Sequence, residues 1–115
     1  MKFAKLFSAV LLFVAALFLT SCSRCEDKPR ARLINNGTEK ADIQIKTSGG
    51  NTENINNVMP GTKSDYRSYS PGQVTYTVTV ANTEYVKLFD VVTCHDYDVT
   101  IDANHVITVT PINKD

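Results

Sequence analysis

Tryptophan is absent from the 115-residue chain, and neither sign of charge is in excess, with Lys and Arg together numbering 12 and Asp and Glu together 12. No basic patch or acidic tail breaks that balance, which argues against nucleic acid as a partner. The motifs of common hydrolytic machinery are missing too: there is no GxSxG elbow and no HExxH pair. Beyond Pro29 no segment has helical periodicity with a convincing cap, and no internal repeat appears. These absences argue against an enzyme. Without tryptophan, a small core must be filled by Tyr and Phe.

The chain opens on Lys2 and Lys5, followed by the uncharged run LFSAVLLFVAALFL from Leu6 to Leu19 and then by Thr20, Ser21 and Cys22. A short basic start, an apolar run below the ~20 residues a spanning helix needs, and small residues before a cleavage point form a secretory signal. A buried or membrane-spanning helix is the competing reading. Under the export reading, residues 1–21 form a signal helix that is removed, residues 22–29 a tether and residues 30–115 the folded domain. Lys2 and Lys5 leave with the signal, so the remainder is slightly acidic.

The residues Leu19, Thr20, Ser21 and Cys22 resemble the lipobox of bacterial lipoproteins. That resemblance implies cleavage before Cys22 and a covalent lipid on its sulfur. It also implies a place in the bacterial cell envelope, lipid-anchored at the membrane. Ser23 after the cysteine implies the outer membrane, on its periplasmic or surface face. Two or more acyl chains hold a protein stably at a bilayer where one does not. Glu26-Asp27 is similar to an acidic surface-export signal and reads equally well as plain linker.

With Cys22 assigned to lipid, Cys25 and Cys94 remain. In an oxidising compartment they form a disulfide closing a loop of about 70 residues, worth about 4 kcal/mol in the chain-entropy model; two free thiols are the alternative. A metal site built on Cys94, His95 and Asp96, with His105, is disfavoured, because adjacent strand residues point to opposite sides. Asp96, Asp98 and Asp102 lack the sharp glycine turn and bidentate Glu of a calcium loop and read as solvent-facing acids. No metal or cofactor other than the lipid on Cys22 is expected.

From Arg30 onward the pattern has period two. VTYTVTV sets Val74, Tyr76, Val78 and Val80 on one face and Thr75, Thr77 and Thr79 on the other. ADIQIK puts Ala41, Ile43 and Ile45 together, YDVTI puts Tyr97, Val99 and Ile101 inward, and VITVTPI puts Ile107 and Val109 inward with Pro111 marking a strand end or an edge. ARLI starts a strand, KSDYRSY is a further candidate, and YVKLFDVV is less cleanly amphipathic. TSGGNTENINN reads as a polar loop, and NNGT, VMPG, SPGQ, ANTE and DANH read as turns or breaks. About seven short strands predict an all-β fold, a small antiparallel β-sandwich of Ig-like or transthyretin-like kind, with a small closed barrel as the alternative.

ARLINNGTEKADIQI, MPGTKSDYRSYSPGQVTYTVTV and HDYDVTI resemble the secreted bacterial family known as domain of unknown function 4397, over residues 31 to 101. Asn35, Asp42, Ser64, Tyr66, Gly72 and Tyr97 occupy the matching places, while DVTI stands where members often read Tyr-Thr-Val. The resemblance implies a secreted β fold and supplies no catalytic residues. Three roles follow for such a domain. A structural or interaction role in the envelope, toward a protein partner, ranks first. A binding module for a glycan or small ligand comes next, with Tyr66, Arg67 and Tyr69 as the candidate surface, because tyrosine is stiff and amphipathic. An enzyme comes last.

Overall fold

The alternation in VTYTVTV sets the architecture: Val74, Tyr76, Val78 and Val80 are all buried, and the threonines between them are turned outward and partly exposed. The computed structural model describes residues 25–115; the signal segment, the lipobox and Cys22 lie outside the described residues. Among the described residues eight strands are present: β1 (Arg30–Asn36), β2 (Ala41–Thr47), β3 (Thr52–Val58), β4 (Arg67–Ser68), β5 (Gly72–Val80), β6 (Thr83–Val91), β7 (His95–Asp102) and β8 (Ile107–Asn113). They form two four-stranded sheets, β4-β1-β7-β8 and β3-β2-β5-β6, whose inner faces pack into one core. The fold is a β-sandwich.

The expected inward faces are met. Ala41, Ile43 and Ile45 from β2 and Tyr97, Val99 and Ile101 from β7 are buried, and Ile107 and Val109 of β8 pack against the core. Tyrosine takes the place of the missing tryptophan: Tyr76 and Tyr97 are the largest fully buried side chains. Their hydroxyls are satisfied, as burial requires. Tyr76 Oη shares a 2.6 Å hydrogen bond with Tyr69 Oη, and Tyr97 Oη accepts the Val92 N–H at 2.9 Å.

Three details depart from the sequence reading. The segment read as a polar loop and the start of the VMPG break together contain β3, an edge strand that buries only Ile55 and Val58. KSDYRSY yields a strand of just two residues, β4. Of the two readings of Pro111 the edge is the one met: β8 continues through it to Asn113 as an edge strand, where a missing N–H is tolerated. The sheets are not wholly antiparallel, since β1 and β7 pair in parallel from Arg30 opposite Asp96 to Asn36 opposite Asp102.

The turn after β5 has two residues, Ala81 and Asn82, with φ of 50° and 64°. Two positive φ values match the twist of a hairpin, at a cost for Ala that Gly would not carry. Asn57 (φ 61°) forms a bulge where the β2–β3 register shifts, and its N–H donates to Asp42 Oδ1 at 2.6 Å.

Candidate functional site

The parallel β1–β7 pairing brings two identical spacings into register. Arg30 lies beside Asp96 and Arg32 beside Asp98 on the outer face of the first sheet. Each pair is a two-pronged ion pair. Arg30 donates through Nε and Nη2 to the two Asp96 oxygens at 3.0 and 2.8 Å, and Arg32 donates likewise to Asp98 at 2.9 and 3.2 Å. Such forked pairs are the stronger, geometrically specific kind. Tyr66 lies over both guanidinium groups, 4.8 Å and 4.7 Å from ring centre to the Arg30 and Arg32 carbons, and donates its hydroxyl to Asp98 Oδ1 at 2.9 Å. Lys114 Nζ reaches Asp96 at 3.9 Å and Asp27 at 3.6 Å.

The electrostatics follow the contacts. The Arg30 hydrogen bonds hold Asp96 below the usual carboxylate range against the opposing effect of burial. At Asp98 burial pulls upward, and the hydrogen bonds from Arg32 and Tyr66 outweigh it, so this carboxyl is also held low. Both arginines are held more firmly charged, first through the bonds to their aspartates. Burial, then the bond to Asp98, raises Tyr66. Every charge here has a partner, and the aromatic ring caps the cluster.

The proposed Tyr66, Arg67 and Tyr69 surface does not assemble. Tyr66 is the lid of the ion-pair cluster, Arg67 is exposed on β4, and Tyr69 is only 5% exposed, its hydroxyl inside the core. The reason is alternation with a turn at its end: Tyr69 follows β4 and is drawn in by Tyr76, whose ring it meets edge-on at 6.5 Å. Burial pushes both phenols up, Tyr76 to about 12.

Cys25 and Cys94 are joined in a disulfide, with their Cα atoms 5.9 Å apart. The residues around it are fastened as well. The Cys94 N–H donates to the Asp27 carbonyl at 2.9 Å, Pro29 is buried, and the Pro29 carbonyl accepts the Tyr69 N–H at 3.1 Å. The segment from Cys25 to Pro29, read as tether, is therefore held along the domain. Cys94, His95, Asp96 and His105 do not converge. Cys94 is in the disulfide, His95 Nδ1 bonds the Thr93 carbonyl at 2.9 Å, Asp96 holds Arg30, and His105 stacks on Tyr85 at 5.0 Å. The only close metal-type grouping among the described residues, Cys25, Cys94 and Asp115, contains the two disulfide sulfurs. Asp102 accepts the N–H groups of Asn104 and Val106, closing the turn before β8.

The six positions singled out by resemblance each fasten the fold. Asn35 is fully buried, donates to the Glu39 and Val58 carbonyls and accepts the Gly37 N–H. Ser64 Oγ accepts the Leu33 N–H. Gly72 has φ 117°, a conformation open mainly to glycine, with Ser48 Oγ close to where a side chain would start. Asp42, Tyr66 and Tyr97 hold the bulge, the ion pairs and the Val92 backbone respectively.

The second sheet offers different chemistry. Its outer face carries an open groove of about 240 Å³ lined by Asp42, Gln44, Asn54, Asn56, Thr79 and Glu84, among others. Beside it, on β6, Val86 and Leu88 are 57% and 55% exposed. No protein-family model matches the chain, and no curated protein matches it.

Proposed function

We propose that the chain is a lipoprotein of the bacterial cell envelope, held by lipid on Cys22, whose β-sandwich has a structural or interaction role toward another envelope protein. The observation that carries this reading is the Cys25–Cys94 disulfide. It fastens the domain three residues after the lipid-bearing position, within about 10 Å of extended chain. A bond of this kind suits an oxidising compartment, and a short clamped leash suits a domain kept at one standoff from a bilayer. The resemblance to domain of unknown function 4397 belongs to the same proposal.

The ion-pair cluster supports a structural role for the first sheet, because Arg30, Arg32, Asp96, Asp98 and Tyr66 satisfy one another. The binding-module reading moves from the tyrosines to the groove on the second sheet, where amides, hydroxyls and two carboxylates suit the hydroxyl groups of a glycan. Crosslinking in intact cells followed by membrane solubilisation tests the first reading: one reproducible protein adduct is expected. A glycan-array signal lost on Asn54→Ala, with no protein adduct, would favour the second.

A further inference from the structure

Each sheet has two edges, and three of the four are closed off along the backbone. β3 is bulged at Asn57, β4 is two residues long, and β8 carries Pro111, which lacks an N–H. Such devices keep unpaired backbone from templating another strand. β6 is different. It runs for nine residues in unbroken register with β5, from Thr83 opposite Val80 to Val91 opposite Gly72, with no proline and no bulge. Among the described residues no strand pairs with its other side. Its outward side chains are Glu84, Val86, Leu88 and Asp90, two exposed apolar groups between two acids. Its inward row has Lys87 between Tyr85 and Phe89, exposed while both neighbours are half-buried.

We propose that the open edge of β6 accepts an extended strand of a partner protein, with apolar residues opposite Val86 and Leu88, basic residues opposite Glu84 and Asp90, and an acidic residue opposite Lys87. This rests on reading the domain as an interaction module. Main-chain bonds along an open edge supply affinity, and alternate side chains supply choice of partner. Directly opposed side chains attract when oppositely charged and repel when alike. That rule opposes the self-pairing of two copies centred on Lys87. The two-fold register that sets Val86 against Leu88 also sets Lys87 against Lys87 and Glu84 against Asp90. Lys87 thus opposes that self-pairing and selects an acidic counterpart, a repulsive and an attractive device in one residue.

The test uses the chain purified from the cell envelope in detergent and two synthetic heptapeptides, Lys-Thr-Val-Glu-Val-Thr-Lys and its charge-reversed form Glu-Thr-Val-Lys-Val-Thr-Glu. The first should bind about tenfold more tightly and slow amide exchange within Thr83–Val91. Lys87→Glu, an exposed change, should instead favour Lys-Thr-Val-Lys-Val-Thr-Lys over the first peptide. Val86→Lys with Leu88→Lys should weaken the first peptide about tenfold with an unchanged melting temperature. Equal binding of the two original peptides, protection at β8 or in the groove, an unaltered preference in Lys87→Glu, or self-association through β6 would each overturn the proposal. Failure of the envelope reading shows separately, at recovery from the membrane fraction, before any peptide is added.

Discussion

The outer faces of the two sheets are built on opposite plans. On the first, Arg30, Arg32, Asp96 and Asp98 neutralise one another under the Tyr66 ring. On the second, amides, hydroxyls and the carboxylates of Asp42 and Glu84 line a groove, and β6 leaves Val86, Leu88 and a row of backbone groups without partners among the described residues. The presence of charge is therefore a poor guide to what a face does. The first face uses its bonding groups on itself, and the second leaves the β6 edge unpaired among the described residues.

The contrast can be broken at several points. The largest effect is expected at the disulfide that bounds the first sheet: Cys25→Ser, or reduction, should cost about 4 kcal/mol in chemical denaturation. Asn35→Ala should follow at about 2–3 kcal/mol, because three backbone partners of a buried amide lose their bonds. A change below about 0.5 kcal/mol would mean that water replaces the amide.

The ion pairs should then appear in the pH dependence. Asp96 and Asp98 are held below the ordinary aspartate value of 3.8, so they bind protons less readily folded than unfolded. Their contribution is present above that value and is lost as pH falls through the lowered folded values. Asp96→Asn with Asp98→Asn should flatten the acid limb of stability below pH 4 and cost about 1 kcal/mol at neutral pH, since these pairs are partly solvated. An unchanged acid limb would remove the cluster from any structural role. The smallest effect on stability is expected on the other sheet. Val86→Thr with Leu88→Thr should stay within about 0.5 kcal/mol in thermal unfolding, and a larger loss would show that this face belongs to the fold and is not free for a partner.

Where burial was one-sided, the strands were legible from sequence. The period of two in β2, β5 and β7 names the core residues because each strand has one wet and one dry face. β3 was not legible, since an edge strand with two buried side chains, Ile55 and Val58, reads as polar loop. The Cys25–Cys94 bond followed from counting cysteines in a chain read as exported. The ion-pair cluster did not follow, although a signal was present: Arg-x-Arg at residues 30–32 and Asp-x-Asp at 96–98 share a spacing of two. Only a parallel pairing across 66 residues brings them together, and local periodicity carries no information about which strands become neighbours. Tyr69 read both as a candidate surface residue and as core filler for a related reason, because its burial depends on Tyr76 and on the turn between them.

Mass spectrometry of the membrane-extracted chain, cleaved after glutamate without reductant, tests the anchored and clamped domain most directly. A lipid-bearing peptide from Cys22 to Glu26, disulfide-linked to the peptide from Tyr85 to Asp115, is the expected product. A chain that retains Met1, a first residue other than Cys22, an unmodified Cys22 sulfur, or a free Cys94 thiol would contradict it.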